Sequence, residues 1–226
     1  SDEWLSGKQR LRRIRQRENL KIGMRQHAGH IQWPQVFAEL SALADQLVLQ
    51  AAAMVSQRLK LPSYGDQIGI VALGKWGTGE LGFFSDLDLV LVYRSGGDDI
   101  EEQRQMERWA AELIDLLSDQ TPAGRVYELD CQMRPEGSKG LLNIELRPFL
   151  QYLQQRAEEW EWQSLLKARV LGPCPWLETA LETFFCQQVL PQRQALLANV
   201  HRMKDLIQKQ RVSAEGQRGE TGGRRV

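Results

Sequence analysis

The sequence predicts an α+β domain, a small mixed sheet flanked by N-terminal and C-terminal helices. Three observations carry that expectation. Apolar residues recur at three- and four-residue spacing through the first sixty positions, two short, mainly apolar runs follow at 68–73 and 87–93, and helical spacing returns beyond Pro148. No internal repeat or low-complexity tract interrupts this order.

The elements follow in sequence. Gln9 to Gln26 is strongly basic, with Arg10, Arg12, Arg13, Arg15 and Arg17 around a thin apolar stripe of Leu11, Ile14, Leu20 and Met24. Trp33-Pro34 opens a second helix, because proline is comfortable at a first helical position. Its core-facing stripe is Phe37, Leu40, Ala44, Leu47, Ala51, Met54 and Val55. Ile68 to Leu73 is apolar and ends in glycine, which suits a buried strand, and Leu87 to Tyr93 is apolar on both faces, as a central strand should be. Ser95 to Asp99 reads as an exposed loop, and Ile100 to Leu117 as a helix through Met106, Trp109, Leu113, Ile114 and Leu117. A third strand is expected over Arg125 to Arg134, where Tyr127, Leu129, Cys131 and Met133 alternate with Glu128, Asp130, Gln132 and Arg134. Everything from Pro148 onward is expected to be helical, broken at Pro173 and Pro191, with Leu196, Val200, Met203 and Ile207 striping the last helix. The segments are therefore 1–61 (helical), 62–147 (α/β core), 148–212 (helical) and 213–226, a glycine- and charge-rich loop or cut end.

Composition excludes several classes of function. Lys plus Arg and Asp plus Glu both number 29, so net charge is zero and no broadly basic surface for nucleic acid is indicated. No apolar run approaches the roughly 18 residues of a membrane helix, and the first residues, Ser1-Asp2-Glu3-Trp4, lack a signal-peptide pattern. Neither a nucleic-acid nor a membrane partner is expected. Cys131, Cys174 and Cys186 are an odd, scattered set without metal spacing, which points to a reducing cytoplasm.

The chemistry concentrates at Asp86-Leu87-Asp88. Strand alternation puts these two carboxylates on one face, with Leu87 and Leu89 on the other. Held that close, they repel unless a cation neutralises them. Mg²⁺ suits the role, since it takes one or two protein carboxylates and fills its octahedral shell with water and phosphate oxygens. Just upstream, Gly74-Lys75-Trp76-Gly77-Thr78-Gly79-Glu80-Leu81 is a turn whose backbone N–H groups a phosphate can approach closely. Phosphoryl and nucleotidyl transfer use two cations about 3.5–4 Å apart, which two carboxylates rarely hold alone. Asp130, on the polar face of the third strand, is the best third ligand, and Arg134 on the same face could fork onto a phosphate oxygen.

A strand, a glycine turn and Asp-x-Asp about ten residues later resembles the nucleotidyltransferase superfamily that includes DNA polymerase beta, so the sheet is expected to be of nucleotidyltransferase type. The match to one family is closer. Gly74 through Gly82 followed by Ser85-Asp86-Leu87-Asp88-Leu89 resembles the bifunctional glutamine synthetase adenylyltransferase/adenylyl-removing enzyme. So do Tyr127-Glu128-Leu129-Asp130 leading into Met133-Arg134-Pro135, then Gly137 and Gly140, and Trp160-Glu161-Trp162-Gln163 before Lys167-Ala168-Arg169-Val170. The likeness spans roughly Arg10 to Arg211. It departs at Trp76, where the family usually has leucine, a packing substitution, and at Thr78, where it often has a second glycine. The second departure takes backbone freedom from the turn.

This resemblance implies a catalytic and metal-binding trio of Asp86, Asp88 and Asp130 holding Mg²⁺, two ions in the fuller arrangement. On the phosphate side it implies Gly74, Lys75, Gly77 and Gly79, with Ser85 and Arg134 as further candidates. ATP is the implied substrate, or phosphate in the removal direction, and glutamine synthetase the implied protein partner, with a PII-type signal protein in the full-length enzyme. That enzyme carries two related catalytic domains, and this chain has the length of one. The motifs around Leu81-Gly82, Asp86, Asp130 and Trp160 look more like the transferase domain, whereas the arginine run at 10–17 looks like the entry helix of the removing domain. A non-catalytic nucleotide- or PII-sensing module is the alternative of another class.

Blander roles stand beside these. Lys75 could be a solvated loop lysine, and Glu80 a hydrogen-bond partner of its turn. Arg134 could pair with Asp130 or Glu128 instead of a phosphate. His27, His30 and His201 read as structural or surface residues, Trp160 and Trp162 as props of a helix against the sheet, and the arginine run as a solvated face or, less simply, a docking surface.

Overall fold

A computed structural model describes residues 2–61, 65–97, 100–121, 124–132, 134, 135, 137, 140–192 and 194. The chain forms two compact units, Ser1–Glu182 and Thr183–Val226. The first unit holds every sheet strand among the described residues. Described residues of the second comprise the end of a helix, a π-helical turn at Phe185–Val189 and a 3-10 turn at Leu190–Gln192. The stripe expected at Leu196 to Ile207, His201, the tail at 213–226 and Met133 lie outside the described residues.

Two long helices open the first unit, α1 (Asp2–His27) and α2 (Trp33–Leu59). Proline sits in the first turn of α2, and the Gln32 amide donates to Oε1 of Gln35 at 2.9 Å, satisfying a donor that no helical carbonyl can reach. The expected stripe is buried at Leu40, Ala44, Leu47, Ala51 and Val55, and Val36, Val48 and Ala52 widen it. Length and composition would let α2 cross a bilayer, but this apolar face is spent inside the protein core. Its neighbour α4 (Ile100–Ser118) docks through Trp109, whose buried indole N–H donates to Oγ of Ser56 at 2.9 Å.

The sheet is mixed, as expected. Strand β1 (Ile68–Ala72) pairs antiparallel with β2 (Leu87–Tyr93), joined by a short helix α3 (Gly74–Gly77) and the turn after it. All of β1 is buried, and so is β2 except at Asp88. One edge of β2 is shared by two short parallel partners: β3 (Leu129–Asp130) beside Leu87-Asp88, and β4 (Asn143–Glu145) beside Leu91 to Tyr93. Helices α5 (Leu146–Gln155) and α6 (Glu159–Leu166) follow, then β5 (Arg169–Val170) pairs antiparallel with β1, and α7 (Pro175–Phe184) closes the order. Gly69 lets α7 press onto β1, since a Cβ there would meet Leu177 Cδ2 at 2.4 Å.

Two expectations are corrected here. The strand expected over 125–134 shrinks to Leu129-Asp130, because the amides of Val126 and Tyr127 both turn aside to the Leu117 carbonyl at the end of α4. The region beyond Pro148 is not wholly helical, because Arg169-Val170 completes the far edge of the sheet. β4 went unrecognised, having only three residues in which to show alternation. In addition, the Trp162 indole N–H donates to the Leu153 carbonyl at 2.8 Å and fastens α6 to α5, while Trp160 is exposed.

Candidate active site

The parallel register of β2 and β3 sets Asp88 beside Asp130, and Asp86 lies two residues earlier on the same face as Asp88. One carboxylate oxygen from each lies within 4.8 Å of the others. At that separation two unit charges repel by roughly 1–3 kcal/mol, depending on how far water screens them. The strain shows at Asp88, whose carboxyl is pushed above its ordinary value of 3.8, first by burial, then by the charges of Asp86 and Asp130, with Lys75 pulling the other way. Asp130 Oδ1 accepts the Gln132 amide at 2.8 Å, which fixes the rotation of that carboxylate.

Gly74 makes the geometry possible. It has φ +54°, and a Cβ there would stand 2.1 Å from Asp88 Oδ2. Only glycine lets the end of β1 pass the carboxylate that closely. Gly77 is closed in from the other side, since a Cβ would meet the carbonyl oxygens of Ala72 and Lys167 at 2.6 and 2.7 Å. Gly79 takes φ +73°, the left-handed turn after α3. Thr78 sits at φ −82°, so the glycine expected there would gain nothing; its hydroxyl donates within the turn, to Glu80 Oε2 at 3.1 Å. The amides of Gly77, Thr78, Gly79 and Glu80 donate to carbonyls 73 to 76, which confines any phosphate-facing amides to the first turn of α3.

The other candidates divide. Lys75 is exposed and near enough to Asp88 to oppose the rise in its pKa. Ser85 Oγ accepts the Gly82 amide at 3.1 Å and shapes the turn before Asp86. Arg134 donates to the carbonyls of Gly140 (3.1 Å) and Cys131 (2.6 Å), so its fork holds its own loop. The Glu128 pairing considered for it goes instead to Arg125, at 2.8 Å.

One residue absent from the sequence reading, Asp45, holds the turn together with Arg169. Asp45 on α2 takes a two-pronged bond from Arg169 of β5, at 2.8 and 3.0 Å, and the indole N–H of Trp76 at 2.8 Å. Trp76 is thus more than a packing substitution for leucine: it ties the glycine turn to α2. Asp45 falls among apolar residues on a helix, and its spacing signals only a polar interruption. The arginine run is corrected as well. Arg12 is buried and donates to the carbonyl and Oδ2 of Asp119, at 3.0 and 3.3 Å, while Arg15 lies over the Tyr127 ring, 4.5 Å from its centroid. Leu20 and Met24, expected in the apolar stripe, are exposed, and Ile22 is buried in their stead. His27 and His30 are exposed, as expected.

Hard oxygen donors in this number and spacing fit a divalent cation of the Mg²⁺ kind. Together the mixed sheet, the glycine turn and the acidic trio define a nucleotidyltransferase-type domain. The chain belongs to the glutamate-ammonia ligase adenylyltransferase family, whose model matches residues 2–183. It is 35% identical over 181 residues to a bifunctional glutamine synthetase adenylyltransferase/adenylyl-removing enzyme of Nitrosococcus oceani, a match covering 73% of this chain and 19% of the relative. The namesake protein of Neisseria meningitidis is 35% identical over 175 residues (76% and 19%), and that of Pseudomonas aeruginosa 32% over 189 (76% and 19%). The chain thus spans about a fifth of the length of these curated relatives.

Proposed function

We propose that this chain is a Mg²⁺-dependent nucleotidyltransferase domain that moves AMP from ATP onto a tyrosine of glutamine synthetase. The convergence of Asp86, Asp88 and Asp130 within 4.8 Å, beside the glycine turn, carries this reading. Bound Mg²⁺ would supply charge neutralisation at the phosphate oxygens and at the attacking and leaving oxygens of an in-line displacement. Asp86 and Asp88 would hold the ions. Asp130 would be a further ligand and orients the tyrosine hydroxyl, whose proton passes to a carboxylate of the trio as the bond to the α-phosphorus forms. The bond from the α-phosphorus to the bridging oxygen breaks, and pyrophosphate departs. The first-turn amides of α3 and the Lys75 ammonium face the nucleotide phosphates. Full closure awaits the protein substrate, because Asp86 is exposed.

The reverse traffic, removal of AMP by phosphate to give ADP, is favoured by one feature, the arginine run of α1. The same three aspartates serve that reaction. Intact-mass analysis of glutamine synthetase separates the readings. Incubated with the chain, ATP and Mg²⁺, it should gain AMP; a pre-adenylylated sample given phosphate should be left unchanged. Loss of AMP in the second arm would assign removal instead, and silence in both would leave a nucleotide- or PII-sensing module.

A further inference from the structure

The basic residues of α1 fall on two faces. Arg10, Arg13 and Arg17 point to solvent, whereas Lys8, Arg12 and Arg15 recur at four- and three-residue spacing on the face that also buries Leu11 and Ile22. Lys8 and Arg12 reach the end of α4, at Asp115 and Asp119. Arg15 does something different. Its Nη2 points to the Phe83 carbonyl and its Nη1 to the Arg125 carbonyl, each at 3.5 Å, and its guanidinium covers the Tyr127 ring. Phe83 is three residues before Asp86; Arg125 and Tyr127 are five and three residues before Asp130.

We propose that Arg15 is a positioning residue for the acidic site, clamping the turn that carries Asp86 and the segment that carries Asp130 to one helix and so setting the separation of the carboxylates. The proposal rests on reading that trio as a cation site. The β2–β3 ladder is two residue pairs long, too short to hold mutually repelling carboxylates in place by itself. A planar fork can address two carbonyls at once while its face stacks on an aromatic ring; a lysine ammonium can do neither together. Tyr127 is a fit partner, since burial pushes its hydroxyl up to about 12 and keeps the ring neutral under the guanidinium at every ordinary pH.

Three variants of the full chain test this: Arg15→Met, Arg15→Lys, and Arg12→Met as the control, equally part of the inner face but aimed at α4. Mn²⁺ affinity is read from the paramagnetic resonance of free Mn²⁺, and amide hydrogen exchange is followed over 82–88 and 124–131 in the metal-free protein. Arg15→Met should weaken Mn²⁺ about tenfold and speed exchange in both segments, with Arg15→Lys between it and the wild type. Arg12→Met should lower the Tm yet leave both readouts near wild type. Wild-type affinity in Arg15→Met, or an equal loss in Arg12→Met, overturns the proposal. Should Arg15→Met fail to fold, Arg15→Lys decides, with unchanged affinity and exchange overturning it. Absence of Mn²⁺ binding in the wild type would defeat the cation reading instead, and exchange over the two segments would then judge the clamp alone.

Discussion

Asp88 is the residue where function and stability oppose each other. Its folded pKa is raised, so the native state binds the proton more tightly than the unfolded chain does. By linkage, stability then falls as pH climbs from the ordinary aspartate value of 3.8 through the raised folded value, and it stays lower above that window. Asp88→Asn removes this burden. In metal-free buffer the variant should melt above the wild type at neutral pH, and the gap should close on acidification below 3.8. AMP transfer should meanwhile fall by about a hundred- to a thousandfold, the equivalent of roughly 3–4 kcal/mol of lost charge stabilisation. A variant that transfers normally, or that melts lower at neutral pH, would remove Asp88 from its assigned place. Asp86-x-Asp88 was legible because period-two alternation forces two carboxylates onto one face. What the sequence could not display is the reason for Gly74: its Cβ position is filled by a carboxylate fourteen residues away.

At the scale of elements, the glycine turn is held by contacts from far along the chain. Asp45 of α2 joins Trp76 of α3 and Arg169 of β5, uniting three elements that sequence distance keeps apart. Asp45→Ala would strand the indole N–H and the guanidinium together. Because Asp45 and Arg169 are partly solvated, the cost is set at about 1–3 kcal/mol, well short of a fully buried pair. Urea denaturation reads it as a lower midpoint at unchanged slope; a loss under about 0.5 kcal/mol, the ordinary range of a surface substitution, would show the network to be incidental. Legibility followed element length. α2 and α4 announce themselves through many periods of repeat and β2 through a seven-residue apolar stretch, whereas β3, β4 and β5 have two or three residues each and exist because β1 and β2 offer them edges. Alternation over 125–134 promised a long strand; only the part that meets Leu87-Asp88 became one.

For the molecule as a whole, the helices build the frame and the sheet presents the acids. α2 packs against both α1 and α4, and the inner face of α1 reaches the end of α4, the turn before Asp86 and the segment that leads into β3 and Asp130. The arginine run concealed this division, because a cluster of like residues shows no period until its partners are known. Net charge of zero conceals something similar: the negative charge of the trio is local, answered by lysine and arginine elsewhere on the chain. The proposed role of the domain requires this local charge to be a cation site serving a nucleotide. Crystals soaked in Mn²⁺ with a non-hydrolysable ATP analogue, and measured at the manganese absorption edge, address it most directly. The expected result is an anomalous peak about 2.2 Å from oxygens of Asp86, Asp88 and Asp130, with the analogue's phosphates completing its shell. A peak elsewhere, or phosphates seated away from the three carboxylates, would contradict the account.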